Sequence, residues 1–193
     1  MRVSIPLEQA YKLLNHGPVT LVSSAHGGRR NVMAASWAMP LDFSPPKVAV
    51  VIDKGAYTRE LVEASGELVL AVPARQMAAA VLAVGNCSGR EQDKFAALGL
   101  QGVPGSKVEA PLVDGCVAWL ECRVLAEPHN QQTYDLFLAE VVAAWADARV
   151  FQDGRWVFSD DPDDPLRTLH YVAGGQFFVT GQALEVSPAD QAA

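Results

Sequence analysis

The spacing of hydrophobic positions changes several times along this chain, and each change marks an element. In "SIPLEQAYKLLNHGP" Leu7, Ala10, Tyr11 and Leu14 recur at helical spacing, Pro6 stands where a first helical residue would, and Gly17-Pro18 stops the run. A short amphipathic helix is expected there. "VTLVSSA" (19–25) reads as a strand, "HGGRRN" (26–31) as a turn, and "VMAASWAM" (32–39) as a second strand or extended segment, together a hairpin. Pro45-Pro46 interrupts the pattern before "KVAVVID" (47–53), whose β-branched run suits a strand buried on both faces. "YTRELVEASGE" (57–67) follows as a helix that Thr58 can cap and Gly66 closes, then the strand "ELVLAVP" (67–73).

Further on, "RQMAAAVLAVG" (75–85) is a helix, and "SGREQDKFAALG" (88–99) opens on a capping-box pattern, Ser88-x-x-Glu91, and closes at Gly99. After Gly115 the chain turns to strands: "CVAWLECRVL", "YDLFLAEVVAAWAD" and "RWVF". The second is alanine-rich enough to be a helix on periodicity alone, and its β-branched and aromatic content favours strand. "SDDPDDP" (159–165) is an acidic loop, and residues 183–193 form a frayed C-terminal tail to a single domain over 1–182. Short strands with helices inserted among them argue for a β-barrel with inserted helices rather than a regular β-α alternation.

Composition narrows the function classes. Half of the 193 residues are hydrophobic, enough for a substantial core. A formal charge of −7 argues against nucleic acid or an anionic membrane as the main partner, since both call for a broad excess of Lys and Arg. No apolar run approaches the roughly 20 residues of a membrane helix, and no signal pattern opens the chain, so a cytoplasmic protein is expected. Cys116 and Cys122 lie six apart on one strand, about 20 Å at about 3.3 Å per residue, too far to bridge. They read as core residues on a face shared with Ala118, Leu120 and Val124. With Cys87 there are three cysteines and no C-x-x-C, and His16, His26, His129 and His170 form no H-x-H or H-x-x-x-H pair, so no metal site is expected.

One stretch carries chemistry. Ala34, Ala35 and Ser36 expose backbone N–H and C=O groups with little obstruction, while Met33 and Trp37 can cover a ring face. Thr58, at a helix start beside Lys54 and Arg59, is placed to receive a phosphate, because free N–H groups and the helix dipole both favour an anion there. The same residues serve as ordinary core and an ordinary N-cap when taken singly. No G-x-G-x-x-G, P-loop or G-x-S-x-G motif is present, so neither a Rossmann site nor a hydrolase elbow is indicated.

The order of the motifs is more specific than any one of them. "N-x-M-x-x-S-W" at Asn31–Trp37, then "PPKVAVVID", "YT-x-x-L-V", "GNCSGREQDKF" and a late "LHYVAGGQFF" resemble the flavin reductase-like family and its flavoredoxin-type branch over roughly residues 16–182. The resemblance implies an FMN-binding split barrel, usually a homodimer. It places the isoalloxazine against Met33, Ala34, Ala35, Ser36 and Trp37, and puts Asp53 and Lys54 on the ribityl-phosphate side. By the same resemblance Tyr57 and Thr58 hold the phosphate, and Asn86, Cys87, Ser88 and Gly89 form a second phosphate-side loop with Lys94 nearby. Ser88 is thereby claimed both by this loop and by its capping box. His170, with Tyr171 and Gly174, lies near the flavin or the dimer partner in the resembling family and is the candidate catalytic residue.

The expected function is an FMN-dependent oxidoreductase that draws on NADH or NADPH and passes electrons to flavin, a redox protein or a monooxygenase partner. Two alternatives stay open: an electron carrier holding FMN tightly, and a flavin-binding module without turnover. Trp156, Phe158, Phe177 and Phe178 look exposed and suit a dimer contact, with the segment 170–178 approaching the partner's cofactor.

Overall fold

The computed structural model describes residues 1–186. Its strands in chain order are β1 (Arg2–Ser4), β2 (Thr20–His26), β3 (Arg29–Ala35), β4 (Ala38–Phe43), β5 (Pro46–Val51) and β6 (Glu67–Pro73). The small hairpin β7 (Gly102–Val103) and β8 (Leu112–Val113) precedes the long strands β9 (Cys116–Val124) and β10 (Leu136–Asp147). Two more hairpins follow, β11 (Phe151–Gln152) with β12 (Arg155–Trp156), and β13 (Leu169–Ala173) with β14 (Gln176–Val179). Helices α1 (Tyr57–Ser65), α2 (Ala78–Gly85), α3 (Lys94–Ala97) and α4 (Pro128–Tyr134) are inserted between strands.

Eight strands make one antiparallel sheet in the order β3-β2-β6-β9-β10-β5-β4, with β1 pairing on β10. The two ends of that path, β3 and β4, are consecutive in sequence, and no ladder joins them among the described residues. The sheet curls but stays open there, which is the split-barrel architecture. In β6 the period of two sends Leu68, Leu70 and Val72 into one core and Val69 and Ala71 into another. The first core fills the curl and includes Val22, Val50, Leu120 and Phe137. The second lies on the outer face under α2, β8 and the loop before it, with Val81, Phe95 and Leu112. β5 pairs with strands on both sides and buries Val48 and Val50, as its β-branched run predicts.

Several local expectations change. The first helix is a 3-10 helix, Leu7–Leu13, with Pro6 at its N-cap. "VMAASWAM" is broken at Ser36-Trp37, where β3 ends and β4 begins. Ala56, not Thr58, caps α1, and Gly66 closes it with a φ of 69° as expected. The capping box does not form: Ser88 Oγ accepts from the Arg90 N–H and Ser88's carbonyl from the Glu91 N–H, and Asp93 caps the short α3 by accepting from the Phe95 and Ala96 N–H groups. Cys116 faces the outer core while Ala118, Leu120 and Cys122 face the inner one, because a bulge opposite Pro73 shifts the strand's phase. The expected tail lies partly outside the described residues, at 187–193.

The aromatics expected at the surface are mostly core. Trp156 packs edge-on to Phe151, stacks on Phe158 and donates from Nε1 to the Lys12 carbonyl at 3.1 Å. Phe177 is half-buried against the outer core, and only Phe178 is exposed. Beside Trp156 a polar chain ties the β13–β14 hairpin down. His16 Nε2 lies 3.0 Å from Thr168 Oγ1, which bonds Thr180 Oγ1, itself 3.4 Å from His170 Nε2. His16 Nδ1 is buried with no partner among the described residues.

Burial, helped by the facing His170, pushes His16 down to about 4. The folded pKa is therefore depressed, so the stabilisation from the neutral ring is complete above the unfolded pKa near 6.5 and is lost as pH falls toward 4. His16→Phe should flatten that slope. Urea denaturation at pH 7 and pH 4.5 should show the wild type losing about 2–3 kcal/mol more than the variant.

Candidate functional site

Asn31 is a polar residue at an inward position of β3, 2 % exposed, among apolar neighbours. Its Nδ2 donates to Thr58 Oγ1 at 2.9 Å, and Thr58 is itself fully buried in the first turn of α1. The amide's other atom, Oδ1, is buried and without a partner among the described residues. The amide can bond the Thr58 hydroxyl in either orientation, and in both one polar atom is left for a ligand; with Nδ2 outward it can donate to an anionic oxygen. The third wall is Gly89. A Cβ there would collide with Asn31 Oδ1 and come within 2.8 Å of Tyr57 Cδ1, so glycine keeps this cradle open.

A cavity of about 200 Å³ lies further along β3. Ala34, Ser36, Leu82, Asn86, Tyr171 and Phe177 are among its lining residues. Asn31 and Ala34 are three strand positions apart, about 10 Å at about 3.3 Å per residue. Asn86 of the cleft and Gly89 of the cradle lie on one loop, and an apolar cleft with exposed backbone near a polar cradle is suited to a planar ring joined to a phosphate by a short chain. Tyr171 and Phe177 meet edge-to-face at 5.3 Å and close one side of the cleft.

The structure gathers some of the expected residues and turns others elsewhere. Ala34, Ser36 and Asn86 share the cleft, and Tyr57 and Thr58 share the cradle. Met33 and Ala35 pack on the inner core, while Trp37 is 73 % exposed at the β3–β4 seam. Asp53 uses Oδ1 to accept from the Gly55 N–H at 2.6 Å, and Lys54, exposed, lies 3.7 Å from Asp135. Cys87 is half-buried with a free thiol, and Ser88 holds the turn into Arg90. Lys94 is buried beneath this loop, donating from Nζ to the Val84 carbonyl at 2.6 Å near the C-terminus of α2. Burial lowers its pKa, offset in part by the neighbouring Cys87. His170 lies against His16, whereas its neighbour Tyr171 lines the cleft.

Asn31 and Arg90 also border the cradle and were given no role from the residue pattern, while Gly89 entered only as part of its loop. Arg90 bonds Glu60 and, at 2.7 Å, the Gly55 carbonyl, and its guanidinium sits 5.7 Å from the centre of the Tyr57 ring. An asparagine inside a strand of otherwise apolar inward positions was the available signal for Asn31. Nothing local marks Gly89, because the atoms that it must avoid come from two distant elements.

Known proteins share this arrangement. The family described as flavin reductase like domain matches residues 14–175. Protein YddH of Escherichia coli (strain K12), uncharacterised, is 45% identical over 183 residues, 93% of this chain and 95% of that protein. Among solved structures, an FMN-binding domain of a flavin reductase-like enzyme from Shewanella baltica OS155 superposes with a TM-score of 0.93 at 44% identity, covering 97% of this chain and 98% of that one. Flavoredoxin of Desulfovibrio vulgaris (Miyazaki F) superposes at 0.75 with 27% identity, covering 91% and 92%. With the family matched over most of its length and the same split barrel around the cleft, this chain belongs to the flavin reductase-like family.

Proposed function

We propose that the chain binds FMN with its phosphate in the Asn31–Thr58–Gly89 cradle and its ring in the adjoining cleft, and that it works as an oxidoreductase drawing on NADH or NADPH. The observation that carries the FMN reading is the buried, half-satisfied Asn31 amide against Thr58. The nicotinamide part rests on family membership. FMN, when bound, supplies the hydride and electron chemistry. The protein's part is to hold and shield it. Thr58 and Asn31 offer hydrogen-bond donors to the phosphate, and the peptide groups near Ala34 and Ser36 meet the ring's polar edge. Tyr171 and Phe177 exclude water from one side. Three free thiols, two of them buried, fit a reducing compartment, and we place the protein in the cytoplasm. Among the described residues no helix is long and apolar enough to cross a membrane.

A carrier role is the second reading. The flavoredoxin likeness favours it, as does a 29% identical match to 58% of a high molecular weight rubredoxin of Moorella thermoacetica. Anaerobic addition of NADH or NADPH to the FMN-loaded protein separates the two: bleaching supports the reductase, and colour lost only to dithionite supports the carrier.

Thr58→Ala and Asn31→Asp should each weaken FMN binding about tenfold or more, the first by removing a hydrogen bond to a charged group and the second by setting a carboxylate against the phosphate. Riboflavin, which lacks the phosphate, should lose far less in both variants. Lys54→Ala should have a smaller effect, since that lysine is exposed and turned to Asp135. Calorimetric titration that finds FMN and riboflavin affected equally would move the phosphate elsewhere.

We also infer a homodimer. β4 is an edge strand, and Trp37 just before it and Met39, Leu41 and Phe43 along it are all exposed; the bulge between Pro40 and Asp42 puts Phe43 on the other face from Met39, edge-on to Tyr11, so the apolar surface follows the edge itself, more than monomers usually leave to water. Exposed Val172 and Phe178 on the last hairpin add to the apolar surface. Light scattering at micromolar concentration should give twice the chain mass for the wild type and one chain mass for Met39→Glu/Phe43→Glu, while a wild-type monomer would refute the inference.

A further inference from the structure

The hairpin β13–β14 forms a two-stranded sheet of its own. Its backbone bonds to other elements are made at the root, where the Val19 N–H donates to the Leu169 carbonyl at 2.8 Å and the Arg75 N–H to the Arg167 carbonyl at 2.7 Å. Beyond the root, side chains hold it. Neighbouring residues of a strand point to opposite faces, so the hairpin has a front and a back. Tyr171 and Phe177, paired across it, make the front, which walls the cleft together with Val19 and Leu82. His170 lies on the back with Thr168 and Thr180.

His16 grips that back. Its Nε2 is 3.0 Å from Thr168 Oγ1, and from there the two threonine hydroxyls lead on to His170 Nε2. The His16 ring also meets the Trp156 and His170 rings edge-on, with centres 5.1 and 5.8 Å apart. Three residues on from His16, Val19 lines the cleft and bonds the hairpin root, so one short segment holds both faces of the same wall.

Charge on His16 works against this grip. With Nδ1 buried and unpartnered, the neutral ring is best satisfied with its hydrogen on Nε2, donating to Thr168, because an orphaned buried N–H is the rarer defect. Charging the ring adds a hydrogen at Nδ1, where no acceptor stands among the described residues. The surroundings do not compensate. β12 contributes the Trp156 ring and β13 contributes His170, while behind Thr180 the Arg167 guanidinium donates to the Thr180 carbonyl at 2.6 Å. On the segment of His16 itself, Lys12 extends its ammonium toward the Gly154 turn. No carboxylate bonds or pairs with His16 or His170 among the described residues. Burial and the facing His170 accordingly hold His16 down to about 4. The depression exists only while the grip is closed, so the grip is complete above the ordinary value near 6.5 and is lost as pH falls toward 4.

We propose that His16 is a positioning residue for the cleft: uncharged, it holds the back of the β13–β14 hairpin through the threonine hydroxyls and keeps Tyr171 and Phe177 against the ring, and protonation releases that wall. The proposal rests on the placement of the flavin ring in the cleft. His16 makes no bond to the ligand, and its effect is on the population in which the wall is closed.

Riboflavin tests this without a titrating phosphate. Calorimetric titration of the purified full chain, with far-UV circular dichroism to verify the fold, should show wild-type affinity falling about tenfold or more between pH 7 and pH 4.5. His16→Gln, whose amide can donate to Thr168 and cannot take a charge, should bind within about threefold of the wild type at pH 7 and lose less than about threefold in acid. His16→Phe lacks the donor and should bind about threefold or more weakly at pH 7, with an equally flat profile. Hydrogen exchange reads the hairpin directly: the peptide 169–179 should exchange faster in the wild type than in His16→Gln at pH 4.5, with no difference at pH 7. Thr180→Val cuts the same chain away from His16 and should speed that exchange already at pH 7, and unchanged exchange there overturns the proposal. An acid loss equal in the wild type and His16→Gln overturns it too, while leaving the ring in the cleft. Failure of riboflavin and FMN to bind at pH 7 removes the ring site, and the proposal with it.

Discussion

Arg59 fixes the frame on which the site depends. Its guanidinium is buried and spends its donors on four groups from different parts of the chain: Glu63 one turn on, the Ile52 carbonyl after β5, the Gln131 carbonyl of α4 and the Asp135 carboxylate. The plane also lies 5.2 Å from the centre of the Phe137 ring. A planar fork of five N–H groups can satisfy such a set where a lysine's single ammonium cannot. The consequence is positional. Helix α1 is locked against the ends of β5 and β10, and its first turn therefore brings Thr58 to Asn31 on β3.

The open seam between β3 and β4 is the second constraint. A closed ladder would use every backbone group of these strands, whereas the seam leaves the Ser36–Trp37 corner accessible next to the cleft. Openness carries the hazard of an unpaired edge. β4 limits it with Pro40, with a bulge between Pro40 and Asp42, and with the Pro45-Pro46 break that follows, all of which disfavour strand addition. The apolar stripe on β4 is thus suited to contact through side chains rather than through a continued sheet.

The cradle and the cleft are built by different elements. The cradle depends on one buried amide and one absent side chain, Gly89. The cleft depends on small residues of β3 against the aromatic pair of the last hairpin, and that hairpin is held by the His16–Thr168–Thr180–His170 chain. His170 lies in this chain against His16 rather than in the cleft, which its neighbour on β13, Tyr171, lines. On the same outer face Glu121 of β9 anchors the loop around Lys107, accepting from the Ser106 and Lys107 N–H groups.

What the sequence determined by itself was governed by local physics. The existence of strands β2, β5, β6 and β9, and of helix α1 with its closure at Gly66, depends on residues within one element, and these readings match the structure except for the phase of Cys116 on β9. The order of motifs carried the family. Three features were decided only in the fold. Asp93 rather than Ser88 caps the helix of the segment 88–99, since α3 starts only at Lys94, and the phase of Cys116 follows from a bulge that exists only once β6 and β9 pair. The aromatics at 156 and 158 are core because the residues that cover them come from elsewhere in the chain, His16 and the Lys12 carbonyl among them. Burial, bulges and unsatisfied polar atoms are properties of pairs of distant segments, and a single run of residues contains no term for them.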